Sequence, residues 1–302
     1  MSVRRKSLWR QFKRRLRLKK QARNLRVETL EQRMLLAFDT TIVNFPGHDF
    51  QGVRPPDTVG DVGVDYYIQM VNAPGGSSFA IYNKDDGSLA SGPTNVDTLS
   101  SGGACASGRG DPIVLYDQLA DRWVLTEFGQ PGANTLCVYI SQTSDPTDNL
   151  WFDYSFGTPS FPDYPKYGIS NDAFFVSTNE GSGPAVYAMD RVNMLQGLPA
   201  RPMQRFAAPR LAGFGFQALI PADADGETAP NAGTPGIFMR HRDDEVHNIG
   251  SNDPTQDFLE TGELDVAFAT PANSTFTKSA AIPIAEQDRK SRGEGKGVEL
   301  GG

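Results

Sequence analysis

The chain has little of what familiar enzyme signatures require. Its 302 residues contain 2 cysteines and 3 histidines. No GxSxG, HExxH, P-loop or CxxC pattern occurs, so the usual signatures of nucleophile-elbow hydrolases, zinc proteases, phosphate-binding loops and cysteine zinc sites are missing. No apolar run approaches the ~20 residues that a membrane-spanning helix needs; the most apolar short run is Met34 to Phe38. Methionine is scarce, 7 residues against 31 Gly and 21 Pro, a balance that favours many turns over long helices and leans towards an all-β fold with long surface loops. The 38% apolar content is modest, yet a chain of this length has room for one large or two ordinary domains.

Charge is divided unevenly. Residues 1–37 carry 13 Lys/Arg and 2 Glu, which leaves 16 basic and 34 acidic residues in the remainder. A basic leader therefore precedes an acidic body. Phosphate neutralisation needs a basic surface, so the body does not suit nucleic acid. The leader, Arg4 to Arg26, interleaves Leu8, Trp9, Phe12, Leu16, Leu18 and Leu25 with cations, the pattern of a basic amphipathic helix drawn to anionic surfaces.

Strand grammar is clearest from Gly110 to Ile140. Ile113 to Tyr116 suits a pleated surface, Asp117 to Asp121 turns the chain, Arg122 to Phe128 alternates polar and apolar residues, and Thr135 to Ile140 follows a second turn. Elsewhere Asp65–Val71, Ser78–Tyr82, Trp151–Phe156, Asp172–Thr178, Ala185–Asp190, Gln204–Phe206, Phe216–Ala222, Gly236–Arg242, Glu263–Phe268 and Ala272–Ile284 read as strands. Arg54–Gly63 and Leu89–Ser107 read as turn-rich or low-complexity loops. Units begin near Val53, Asp111, Pro162 and Gly215. A spacing of about fifty residues with strand meanders is the grammar of four-stranded β-propeller blades, although a β-sandwich or two small β-domains share it.

Two resemblances add to this reading. Leu30 to Ala37, LEQRMLLA, resembles the LEPR-XLL motif of exported planctomycete proteins, with Gln32 where that motif has Pro. This likeness implies export and a leader to be set apart from the fold. PPDTVGDVGVDYYIQMVN, GDPIVLYDQLADRWVL, FPDYPKYGISNDAFFVSTNE with VYAMDR, and DVAFATPANSTFT resemble a family of secreted bacterial β-propeller proteins of uncharacterised activity. That likeness implies an exterior propeller and offers no catalytic residues. The expected organisation is a leader at 1–37, a propeller-like domain at 38–284 and a disordered tail at 285–302. After Ile284 the chain departs from the family, as a truncation or frameshift would make it, so the ring of about four units is expected to be incomplete; a complete small propeller with a flexible tail is the competing expectation.

Several constellations bear on chemistry. In an exported chain Cys105 and Cys137 are expected to form a disulfide worth ~3–4 kcal/mol of loop entropy. Asp223, Asp225 and Glu227 resemble a fragment of a calcium loop, interrupted by Pro230; no other cofactor is expected. His241, Asp243, Asp244, Glu245 and His247 mix imidazole with carboxylate. Thr143, Asp145 and Trp151 nearly match the Asp-box of sialidase-type propellers but fail at Thr147 and in the Trp spacing. Arg109-Gly110-Asp111 spells an integrin tripeptide in which Asp111 reads as a strand-entry turn.

These observations favour a secreted or cell-surface recognition, adhesion or scaffold module for an extracellular glycan or protein, with an extracellular carbohydrate-active hydrolase as the alternative. A scaffold would line its central axis with small or apolar residues. Convergence of Asp111, Asp163 and Asp243 in one pocket would favour the enzyme.

Overall fold

The computed structural model describes residues 43–211, 217, 219–226, 228–231, 233–243 and 256–285. The leader with its export-like motif, Glu227, His247 and the tail after residue 285 lie outside the described residues.

The fold is all-β and made of four consecutive antiparallel meanders. The first contains β1 (Val59–Val62), β2 (Tyr66–Ala73), β3 (Gly76–Asn83) and β4 (Leu89–Asn95). The second contains β5 (Ile113–Asp117), β6 (Arg122–Phe128), β7 (Thr135–Ser141) and β8 (Trp151–Gly157). The third runs through β9 (Asp163–Ile169), β10 (Ala173–Glu180), β11 (Gly183–Asp190) and β12 (Gln204–Ala207), with the short helix α1 (Arg191–Met194) after β11. The fourth has β13 (Ile220–Pro221), β14 (Gly236–Arg242), β15 (Gln256–Asp265), β16 (Thr275–Lys278) and β17 (Ile282–Ala285); β16 and β17 both pair with β15.

Turn chemistry sets these registers. Ala73 pairs with Gly76, and the intervening Pro74-Gly75, with Gly75 at φ +84°, meets the demand of a type II turn for Pro followed by a left-handed residue. Asp121 at φ +55° closes the β5–β6 turn, a position that Asp tolerates better than most residues.

The sheets stack face to face around their first strands. β1 lies against β5, β5 against β9 and β9 against β13, the blade arrangement of a β-propeller. Three apolar layers separate the sheets. Ile68, Met70, Phe79 and Ile81 meet Trp123, Leu125 and Tyr139. Val124, Phe128 and Val138 meet Tyr167, Phe174, Val176 and Tyr187. Phe175, Val186 and Ala188 meet Phe238 and Leu264. Alternate residues of β6 thus enter different layers, and every residue from Trp123 to Phe128 is buried. The polar alternation read in the sequence does not mark a solvent face, because a central blade is covered on both sides.

Three segments depart from the sequence reading. The turn-rich stretch 54–63 contains β1, the low-complexity loop 89–107 contains β4, and the entry at 161–168 is largely β9. Residues 272–284 form two short strands rather than one.

Specific links cross the blade seams. Asp61 accepts the Tyr116 amide at 2.7 Å, and Asp223 accepts the Ile169 amide at 2.6 Å. Asp117, fully buried, takes both Nε and Nη2 of Arg191 at 2.6 and 2.7 Å, while Arg191 Nη1 donates to the Asn171 carbonyl. Cys105 and Cys137 form the expected disulfide, tying the loop before β5 to β7.

Two measurements probe these seams. Asp117→Asn leaves the Arg191 charge buried without its counter-ion and is expected to cost about 3–5 kcal/mol in urea unfolding; a change below about 1 kcal/mol would remove the pair from the stabilising contacts. Replacing both cysteines by serine is expected to lower stability by ~3–4 kcal/mol, and unchanged unfolding under reducing and oxidising conditions would show that the bond adds nothing.

Candidate functional site

The first three blades each carry an Asp at their entry. Pro56-Asp57 precedes β1, Gly110-Asp111 precedes β5, and Pro162-Asp163 opens β9. Because the first strands lie side by side, these entries meet at one end of the propeller axis. Asp57 and Asp111 come within hydrogen-bond reach of each other, and Asp163 adds its charge to theirs.

Asn72, buried in β2, holds the pair in place. Its Nδ2 donates to Asp57 Oδ2 at 2.7 Å and to the Pro55 carbonyl at 3.0 Å, while its Oδ1 accepts the Asp111 amide at 2.8 Å. Asp57 and Asp111 have φ of +41° and +52°, left-handed geometry that Asp adopts more readily than most side chains. Gly110 has φ +88°, and a Cβ there would stand 2.2 Å from Asn72 Oδ1. Any side chain at 110 would therefore displace the residue that aligns both carboxyl groups.

Crowding decides the protonation state. Burial first, then the Asp57 charge and its hydrogen bond, push the Asp111 carboxyl up to about 6. Two carboxyl groups this close share protons, so the titration belongs to the pair. Lys166 faces all three carboxylates, but burial outweighs their attraction and holds its ammonium below the ordinary lysine value. Its Nζ lies 3.7 Å from the centre of the Tyr164 ring, a cation–π contact. Tyr164 and Phe161 are exposed aromatics; Arg109 lies over Phe161, which packs on Phe128. The site thus combines carboxyl groups, one amine and exposed aromatic rings.

Asp61, Asp117 and Asp223 gather at the other ends of the first strands. Burial raises the Asp61 and Asp223 carboxyls, and Asp225 adds to both shifts, while the accepted amides of Tyr116 and Ile169 oppose them. These groups serve as fasteners. Asp225 accepts Gln118 Nε2 at 3.4 Å, and Gln118 Oε1 accepts the Gly226 amide at 2.8 Å. Asp223 and Asp225 therefore fasten the fourth blade to its neighbours. Among the described residues no group of three or more His, Cys, Asp or Glu is arranged to hold a metal ion.

The remaining candidates have local partners. His241 pairs with Asp257 at 3.0 Å across β14 and β15; Asp244, Glu245 and His247 lie outside the described residues. Asp145 caps the short turn at Pro146–Asp148 by accepting the Thr147 amide, as a turn residue would. Trp151 packs on Phe79. Asp111 does open β5, but its carboxyl also belongs to the axial group, a role the turn reading omits. Asp163 joins it; the third member is Asp57, while Asp243 follows β14, the second strand of its sheet. The Asp common to the entry of each first strand could have revealed Asp57; nothing local to Asn72 or Lys166 marks either.

No family model matches the chain, and no curated protein matches it. Among solved structures it is similar to a GH43 β-1,3-galactosidase, at 11% identity and a TM-score of 0.35, covering 72% of this chain and 44% of that one. It is similar to a bifunctional GH43-CE protein of Bacteroides eggerthii at 10% identity and a TM-score of 0.37, covering 74% and 27%. A fructofuranosidase from Schwanniomyces occidentalis, complexed with fructosylnystose, gives 14% identity and a TM-score of 0.34, covering 74% and 44%. The chain spans less than half the length of each, and no residue role is transferred from them.

The raised Asp111 carboxyl fixes a pH dependence. In the unfolded chain the group ionises near its ordinary 3.8, and in the folded chain near 6. Stability is therefore full below about 3.8 and falls as pH rises through 6. Asp111→Asn should remove that fall and stabilise the protein at pH 7 by on the order of 1–2 kcal/mol, less than the ~3 kcal/mol of the full shift because the site is half open to solvent. Parallel stability–pH curves for the two proteins would contradict the assignment.

Proposed function

We propose that the axial face bearing Asp57, Asp111 and Asp163 binds an extracellular glycan and hydrolyses it. The observation that carries this reading is the Asp111 carboxyl, poised near neutrality beside Asp57 and Asp163. Glycoside hydrolysis needs one carboxyl that can deliver a proton and another that stays ionised, and a general acid works best with its pKa near the working pH. Asp111 suits the first role. Asp163, which acts on Asp111 through its charge, suits the second. Asn72 and Asp57 orient Asp111, Lys166 and Arg109 offer donors to hydroxyl groups, and the exposed Tyr164 and Phe161 rings offer apolar faces to a sugar ring.

Export supports the choice of an extracellular polymer. The disulfide fits an oxidising compartment, and the leader resembles an export segment. No described helix is long and apolar enough to cross a membrane.

One feature of the geometry favours a second reading, a recognition module. Asp57 and Asp111 lie closer than the ~5 Å at which retaining enzymes hold their two carboxyl groups. If Asp163 does not act, the pair would only accept hydroxyl hydrogens from a bound sugar.

Release of reducing ends from a panel of plant, algal and bacterial polysaccharides separates the readings. The wild type is expected to cleave at least one, with Asp111→Asn lowering kcat by about 10²–10⁴-fold while retaining binding in affinity electrophoresis. Binding without cleavage by the wild type would establish the recognition module instead. Neither binding nor cleavage would discard both.

A further inference from the structure

β6 carries a group that neither the apolar layer nor the axial site uses. Trp123 and Leu125 face the first blade with ordinary apolar partners. Glu127 continues the same row and is 1% exposed. Its carboxyl oxygens close no hydrogen bond of regular geometry, and neither does Oγ of Ser77, 0% exposed on β3, although the Ser77 hydroxyl and amide face the carboxyl group. Three buried oxygens thus lack well-formed hydrogen bonds at one seam, where poorly satisfied groups cost free energy.

A second carboxylate faces the same point. Asp97, in the turn Val96–Leu99 between the first and second blades, comes within hydrogen-bond reach of Glu127. Its Oδ1 accepts the Gly108 amide at 2.7 Å, which leaves its other oxygen for Glu127. The backbone closes around them. A Cβ on Gly76 would stand 2.9 Å from Glu127 Oε2, and one on Gly108 would stand 2.3 Å from its carboxyl group. Nitrogen and sulfur donors are unsuited here, since Cys137, opposite Glu127 in register, is tied to Cys105.

We propose that Glu127, Asp97 and Ser77 form a site for a hard divalent cation, calcium in preference to magnesium, that pins the first blade to the second. Two carboxylates balance a 2+ charge, and an oxygen-only donor set suits calcium. The donors come from β3, a connecting turn and β6 without octahedral order, which calcium tolerates better than magnesium. Backbone carbonyls and water complete the shell.

Burial, and then Asp97, push the Glu127 carboxyl up to about 9, and Tyr139, whose hydroxyl donates to the Cys105 carbonyl, feels both charges. The site is separate from the loop fragment at Asp223 and Asp225, and it does not depend on any glycan activity. It does share the Gly108–Asp111 segment with the axial face.

Thermal unfolding of the full chain at pH 8, in EGTA and in millimolar calcium chloride, tests the site. Calcium is expected to raise Tm by several degrees, through preferential binding to the folded state, and magnesium by less. Titration calorimetry should show calcium binding with one site per chain and weaker binding of magnesium. Glu127→Gln, the neutral isostere, should fold, be at least as stable as wild type in EGTA, and lose the calcium response. No calcium shift in the wild type, an equal or larger shift with magnesium, or a response that persists in Glu127→Gln would each overturn the proposal.

Discussion

A sheet covered on both faces has no solvent side on which to leave a polar group, and that constraint governs this fold. In β6, β7, β10 and β11 nearly every residue is buried. A polar side chain there must find a partner or carry a free-energy penalty. Most do find one. Asp117 meets Arg191, Glu180 meets Arg205 and Tyr187, and Asp190 meets Arg201. In the fourth blade Glu260, 1% exposed, gathers Arg240, Arg242 and Lys278, and these three cations hold its carboxyl down at about 2 against the desolvation that would raise it. Such groups do little for net stability compared with an apolar core, but each accepts only one arrangement of neighbours. Most of these pairs join strands of one blade and select the register within it, whereas Asp117–Arg191 reaches across a seam.

The same constraint explains where chemistry can sit. The interior of each blade is closed, so carboxyl groups open to a ligand collect where the first strands begin and end. At the strand ends, Asp61 and Asp223 spend their acceptor capacity on neighbouring amides. At the entries, Asp57 and Asp111 are braced from the side by Asn72 and keep oxygen atoms directed at one another. The first group fastens blades together, whereas the second is held apart from such work. Electrostatic crowding alone does not distinguish the two ends; the hydrogen-bond donors assigned to each carboxylate do.

Much of the fold was legible because blade strands such as IVLYD, AFFVST and AVYAMD are short apolar runs between turn formers. The missed strands share a cause. β1 contains Gly60 and Asp61, β4 contains Gly92-Pro93, and β9 contains Pro165. All lie at the first or last position of a meander, where one edge lacks a ladder partner and Gly or Pro costs less. Propensity therefore reads them as loops. The disulfide was legible because only two cysteines exist, and the export expected from the leader gave a reason to join them. Of the axial site, Asp111 and Asp163 were visible as carboxylates at unit starts. Asp57 was hidden inside a turn-rich stretch, and Asn72 and Lys166 become relevant only when strands from different blades are brought together. Glu127 was read as the polar member of an alternating strand; its meaning depends on the sheet that covers it.

The axial carboxyl cluster also runs against the economy of the rest of the molecule. Most other buried acids, Glu127 excepted, are given a cation or an amide, but Asp57, Asp111 and Asp163 share one lysine whose own charge is disfavoured by burial. An amide in place of one carboxyl would relieve the repulsion and preserve the hydrogen bonds to Asn72. Stability alone would select that change, since groups that repel in the folded state reward replacement. The left-handed backbone at Asp57 and Asp111 would accept Asn equally well, so geometry does not require the acid either. What Asn cannot do is exchange a proton near neutral pH. The presence of three carboxyl groups where one amide would relieve the repulsion is what the proposed proton exchange, or recognition of a ligand by charge, would account for.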